Sequence, residues 1–168
     1  MDLRPDDHVI LLLTAHLPGG GNVQPLAAGE WGRLSAWLQR NGLRPGDLFV
    51  GDPKKTLAGF QDKTVTLERI QPLLDRGFQS GLLLEKWQRA GLWVITRASH
   101  DYPQRLVDKL ADQSPPLLYG AGDRKKLETK ALAGVGSRNA AEDDLRFARQ
   151  LGHAAASQGW SIVSGGAR

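Results

Sequence analysis

Residues 131–163 constrain the fold of this chain more than any other stretch. Ala131–Val135 is a short apolar run closed by Gly136. Ala140–Gln158 then carries Leu145, Ala148, Leu151 and Ala155 at helical spacing, and Gly159 ends it. Trp160-Ser-Ile-Val follows as a run of aromatic and β-branched residues. Strand, long helix and strand make a βαβ unit, in which the strands run parallel and the crossover is right-handed. Asn139 is expected to cap the helix.

The ends of these two strands carry similar residues. Gly134-Val-Gly-Ser-Arg closes the first and Ser164-Gly-Gly-Ala-Arg the second. Glycine lets a backbone approach a ligand closely, and the first N–H groups of a following helix have no internal partner. With the helix dipole they favour an anion, Ser137 adds a hydroxyl, and Arg138 adds a planar fork that matches phosphate. In an open parallel sheet ligands sit beyond the carboxyl ends of the strands, so the two loops can converge on one site. Neither loop is a Walker A sequence or a full G-x-G-x-x-G. Asp143 and Asp144 lie in the first turns of the helix and read as a solvated face that favours the helix end.

Upstream the chain reads as helical. His8–Leu17 is a short buried helix stopped by Pro18, and Glu30–Asn41 is amphipathic, with Trp31, Leu34, Trp37 and Leu38 on one face and Gly42 as its stop. Thr66 is expected to cap Leu67–Arg76, and Ser80 or Gly81 to interrupt before Leu82–Ala90. From Gly91 the character changes. Leu92–Thr96 reads as a strand, Gln104–Ala111 as a helix with Pro103 in its first turn, and Leu117-Leu-Tyr as a second strand. The expected fold class is therefore α/β: an N-terminal helical domain over 1–90, then over 91–168 the opening of a phosphate-cradling α/β domain with parallel strands.

Composition removes several function classes. The 168 residues include no cysteine, which excludes disulfides and thiolate metal sites. The four histidines have no metal-ligand spacing, so no metal and no cofactor are expected. No run approaches a membrane span, and acids precede the first apolar run where a secretory signal would be basic, so the reading is a cytoplasmic protein with no membrane partner. The net charge of +4 is compatible with a polyanionic partner. For most of the five tryptophans core packing is expected over base stacking, and Arg124-Lys-Lys is a solvated charge run or an auxiliary phosphate contact.

Asp101-Tyr-Pro-x-x-Leu, Pro115-Pro-Leu-Leu-Tyr-Gly-Ala-Gly-Asp, Val135-Gly-Ser-Arg and Gly159-x-x-Ile-Val-Ser-Gly-Gly-Ala-Arg, in this order, resemble the DprA/Smf DNA-processing proteins. The resemblance covers roughly residues 91–168. It implies that 91–168 is the first part of a Rossmann-like, extended parallel-sheet domain, incomplete at the C-terminus, in a non-catalytic, usually dimeric protein that binds single-stranded DNA and assists RecA loading during natural transformation and recombination. It also implies a DNA-phosphate pocket at Gly136, Ser137, Arg138, Ser164, Gly165 and Gly166. The family continues into Gly-Ile-Asp and about as much domain again, whereas this chain stops at Arg168. The expectation is a truncated or split product, with an exposed sheet edge, working as a homodimer or with a complementing C-terminal chain. Two other readings stand beside it. One is a nucleotide-binding or nucleotide-hydrolysing Rossmann-like protein, for which Glu142 is the nearby acid. The other is a fragment without autonomous activity.

Overall fold

Pro5 opens the first helix because its fixed φ suits a first turn that needs no N–H donor, and Asp6 and Asp7 sit where the helix dipole favours acids. This helix, α1 (Pro5–Thr14), carries Val9–Leu13, all essentially inaccessible to solvent. In the computed structural model, which describes residues 3–18, 22–137 and 139–165, about half of the chain is helical. The elements after α1 are α2 (Ala28–Arg40), the one-turn helices α3 (Asp47–Val50) and α4 (Pro53–Thr56), α5 (Leu67–Leu74) and α6 (Gly77–Arg89). Then come β1 (Leu92–Thr96), α7 (Gln104–Leu110), a 3-10 turn at Ala111–Gln113, β2 (Leu117–Ala121) and a second 3-10 turn at Arg124–Glu128. The chain closes with β3 (Ala131–Gly134), α8 (Glu142–Ser157) and β4 (Ser161–Ser164).

The chain divides into two compact units, Met1–Gly122 and Asp123–Arg168. In the first, α1 is wrapped on two sides. Val9, Ile10 and Leu13 join Trp31, Leu34 and Leu38 of α2 and Ile70, Leu73 and Leu74 of α5 in one core. Leu11, Leu12 and Ala15 join Val94 of β1, with Leu83, Leu84 and Trp87 of α6 packed against them. A helix that is apolar all round must be covered all round, and these clusters do so. β1 and β2 pack with the helices in this first unit.

The first strand pair corrects the expected topology. β1 and β2 are antiparallel, with Leu92 opposite Ala121 and Thr96 opposite Leu117. The chain leaves β1 at Thr96, makes α7 and the 3-10 turn, and returns beside the point of departure, where the Arg97 N–H donates to the Pro116 carbonyl at 3.0 Å. The connection is a wide hairpin rather than a crossover, so β1 and β2 do not continue a parallel sheet. Trp93 lies across its partner Gly120, where a Cβ would meet the indole at 2.8 Å, and its Nε1 donates to the Gly122 carbonyl at 2.9 Å.

In the second unit β3 and β4 are parallel, from Ala131 opposite Ser161 to Gly134 opposite Ser164, with α8 as the crossover. The βαβ unit expected from the sequence forms. Gly159, at φ +69°, makes the left-handed turn that ends α8 and starts β4. Two two-stranded sheets, one antiparallel and one parallel, therefore stand among the described residues in place of one extended Rossmann-like parallel sheet.

Helix ends and caps also differ in places from the sequence reading, and α1 starts and stops three residues earlier than expected. α6 runs through Ser80 and Gly81 without a break, because Ser80 is fully buried and its hydroxyl donates to the Gly77 carbonyl and contacts the His8 ring at 3.1 Å. Thr66 stands at the N-cap of α5 but its side chain makes no capping bond. α8 begins at Glu142 after Ala141, not after Asn139.

Candidate nucleic-acid interface

The parallel register of β3 and β4 sets the geometry of the candidate loops. Gly134 and Ser164 are partners at the carboxyl ends of their strands, so Val135 and Gly165 leave the strands side by side. Neighbouring strands lie about 4.8 Å apart, within the span of one phosphodiester group. Val135 is 99% exposed, and Gly136, Ser137, Ser164 and Gly165 are exposed as well. A Cβ at Gly136 or Gly165 would meet nothing within 4 Å. Of the sequence-predicted site residues, Gly136, Ser137, Ser164 and Gly165 thus come to one end of one strand pair. Arg138 and Gly166 lie outside the described residues.

Ser137 accepts the Asn139 N–H at 3.1 Å through its Oγ. A hydroxyl that accepts one bond keeps its own proton, so Ser137 can still donate. At the amino end of α8 one backbone donor is taken up within the chain. The Asp144 carboxylate reaches back and accepts the Ala141 N–H at 2.9 Å, and Glu142 and Asp143 share the same exposed first turn. Asp143 pairs with Arg146 one turn later. The signal for this start was present in the sequence as an acid three residues after Ala141, the carboxylate half of a capping box. Glu142 is exposed on that turn, at the first helical position.

The tryptophans make their contacts within the chain. Trp31 is 1% exposed in the core of the first unit. Trp37 meets Phe60 edge-on at 5.3 Å, and Trp87 stacks on Tyr119 at 5.5 Å. In the second unit the Lys130 ammonium lies 5.9 Å from the Trp160 ring. Arg124-Lys-Lys forms the 3-10 turn that leads into the amino end of β3, whereas the candidate loops leave the carboxyl ends. Among the described residues, no helix is long and apolar enough to cross a membrane.

The chain thus joins a helical unit to a βαβ module with glycines beyond the carboxyl ends of its two parallel strands. Residues 93–168 match the family model of DNA recombination-mediator protein A, so the C-terminal part of the chain carries a domain of that family. The match begins inside β1 and contains the antiparallel pair's second strand as well as the whole βαβ module. No curated protein matches the chain.

Proposed function

We propose that this chain binds single-stranded DNA through backbone phosphates at Gly136, Ser137, Arg138, Ser164, Gly165 and Gly166, as a non-catalytic mediator acting with a RecA-type recombinase. The supporting observation is the pairing of Gly134 with Ser164, which sets the exposed Val135 and Gly165 next to each other at the carboxyl ends of parallel strands. The family of the C-terminal domain, a recombination mediator, supports the same reading. Phosphate would be held by loop N–H groups, the Ser137 hydroxyl and the Arg138 fork, since carboxylates occupy the start of α8. Such contacts position a backbone without reading bases, so binding is tolerant of sequence and weakened by salt.

Fluorescence anisotropy with labelled oligothymidylate and a mixed-sequence strand tests the proposal. Arg138→Ala weakens both by the same factor, roughly tenfold at low salt, and lowers the slope of log affinity against log salt by about 0.7, the value for one contact to a single strand. Unchanged affinity and slope would refute the loop assignment.

A further inference from the structure

Arg76, between α5 and α6, is 4% exposed and stands apart from every other buried group in the first unit. A buried charge needs a partner, and buried arginines usually find a carboxylate. Arg76 makes no ion pair among the described residues. Its bonds go to main-chain carbonyls: Nε donates to Leu73 at 3.3 Å, and Nη2 donates to Leu12 and, at 3.2 Å, to Ala15. These carbonyls close the last turns of α1 and α5, where the helix dipoles are negative, which explains how the cation is tolerated. Burial alone pushes the guanidinium down from its ordinary value, with no neighbouring acid to hold it up.

The third nitrogen, Nη1, has no such bond among the described residues, and Arg76 lines an open cavity of about 360 Å³. Besides Arg76 the lining is His16, Leu17, Asn22, Val23, Gln24 and Pro25. Among the described residues it holds no acid, and His16, Asn22 and Gln24, which carry hydrogen-bonding side chains, are exposed at its rim. A buried cation with part of its fork unspent, a rim of amide and imidazole groups and no carboxylate is the reverse of a cation site. We propose that this cavity is an anion site that takes a phosphoryl group, with Arg76 as its anchor and Asn22 and Gln24 at its rim. It is independent of the loops at 134–137 and 164–165. The phosphoryl group could be free, as inorganic phosphate or a mononucleotide, or belong to a nucleic-acid backbone.

The test uses the full chain carrying Arg138→Ala, so that failure at the candidate loops does not affect it. Inorganic phosphate is titrated while the Arg76 Nε–H resonance and the melting temperature are followed. The expected result is saturable movement of that resonance and a melting temperature that rises with phosphate. Gln24→Ala, an exposed change, weakens phosphate severalfold, and Arg76→Lys, which keeps charge but loses the fork, weakens it roughly tenfold. Should Arg76→Lys fail to fold, Gln24→Ala and Asn22→Ala carry the comparison. A mononucleotide and oligothymidylate are then added in competition. Displacement by the oligonucleotide assigns the site to nucleic acid, and displacement by the mononucleotide alone assigns it to small ligands; either upholds it. An unmoved Arg76 resonance at saturating phosphate, or equal affinity in the rim variants, overturns it.

Discussion

Single carboxylates hold the first unit together at places where helices meet other elements. Asp7 of α1, 4% exposed, accepts from the Thr96 hydroxyl at 2.6 Å, the Ser99 hydroxyl at 2.8 Å and Arg4 at 3.0 Å, tying the first helix to the end of β1. Burial pushes its carboxyl up, but the bonds from Thr96, Ser99 and Arg4 outweigh it and leave it below the usual range. Glu30 of α2 receives both arms of Arg69 of α5, at 2.7 and 2.9 Å, and this lowers its carboxyl to about 2. In both cases the charged form is favoured in the folded state. The stabilisation is therefore full above the unfolded value, about 4, and lost as pH falls, for Glu30 down through about 2. Asp7→Ala strands the buried Thr96 hydroxyl and is expected to cost about 2–3 kcal/mol in urea unfolding at pH 7. Glu30→Gln keeps an acceptor for the Ala27 N–H but loses the ion pair. It should cost about 1 kcal/mol at pH 7, because the pair is partly exposed, and the gap to the parent should close towards pH 2. A gap that persists at pH 2 would mean that packing, not charge, is responsible.

At the scale of elements, close packing overrides local propensity. Gly32 sits inside α2, where alanine would favour the helix by about 1 kcal/mol. A Cβ there would lie 2.7 Å from the Asp112 carbonyl oxygen and 2.8 Å from its Cβ, in the 3-10 turn that packs on α2. The obstacle is backbone, so Gly32→Ala should destabilise by roughly 1–3 kcal/mol despite the better propensity. A stabilised variant in thermal melts would show that the turn yields freely. Packing in the βαβ module is far thinner. Among the described residues of Asp123–Arg168, Ala155 is the one buried apolar side chain, while Phe147 is 65%, Val163 57% and Ile162 50% exposed. The periodicity of α8 was legible in the sequence, but the burial that such a stripe usually finds is small here.

At the scale of the whole molecule, this contrast predicts two levels of protection. Opening free energies follow buried apolar contact, which is concentrated around α1. Native-state hydrogen exchange should place the slowest amides in α1, α2 and α5, and faster ones throughout β3, α8 and β4. Equal protection across Gly122 would refute the division. A chain ending at Gly122 should keep a cooperative melt, since every residue of both core clusters precedes that point.

The elements themselves were largely set by local rules that sequence states. The apolar run at 9–13, the stripe of α2, the strand at 92–96, and glycine at 42 and 159 with φ of +69° each act within a few residues. The strand-helix-strand order of 131–164 also carried its parallel pairing, because a helical crossover leaves little choice of direction. Tertiary structure decided what depends on long-range pairing. It turned β2 back antiparallel beside β1, drew that pair into the helical unit, and kept α6 unbroken by burying Ser80 against His8. It also set Arg76 among carbonyls from two helices distant in sequence from one another. No local pattern encodes such contacts, since their energy comes from surfaces that meet only after the chain has folded.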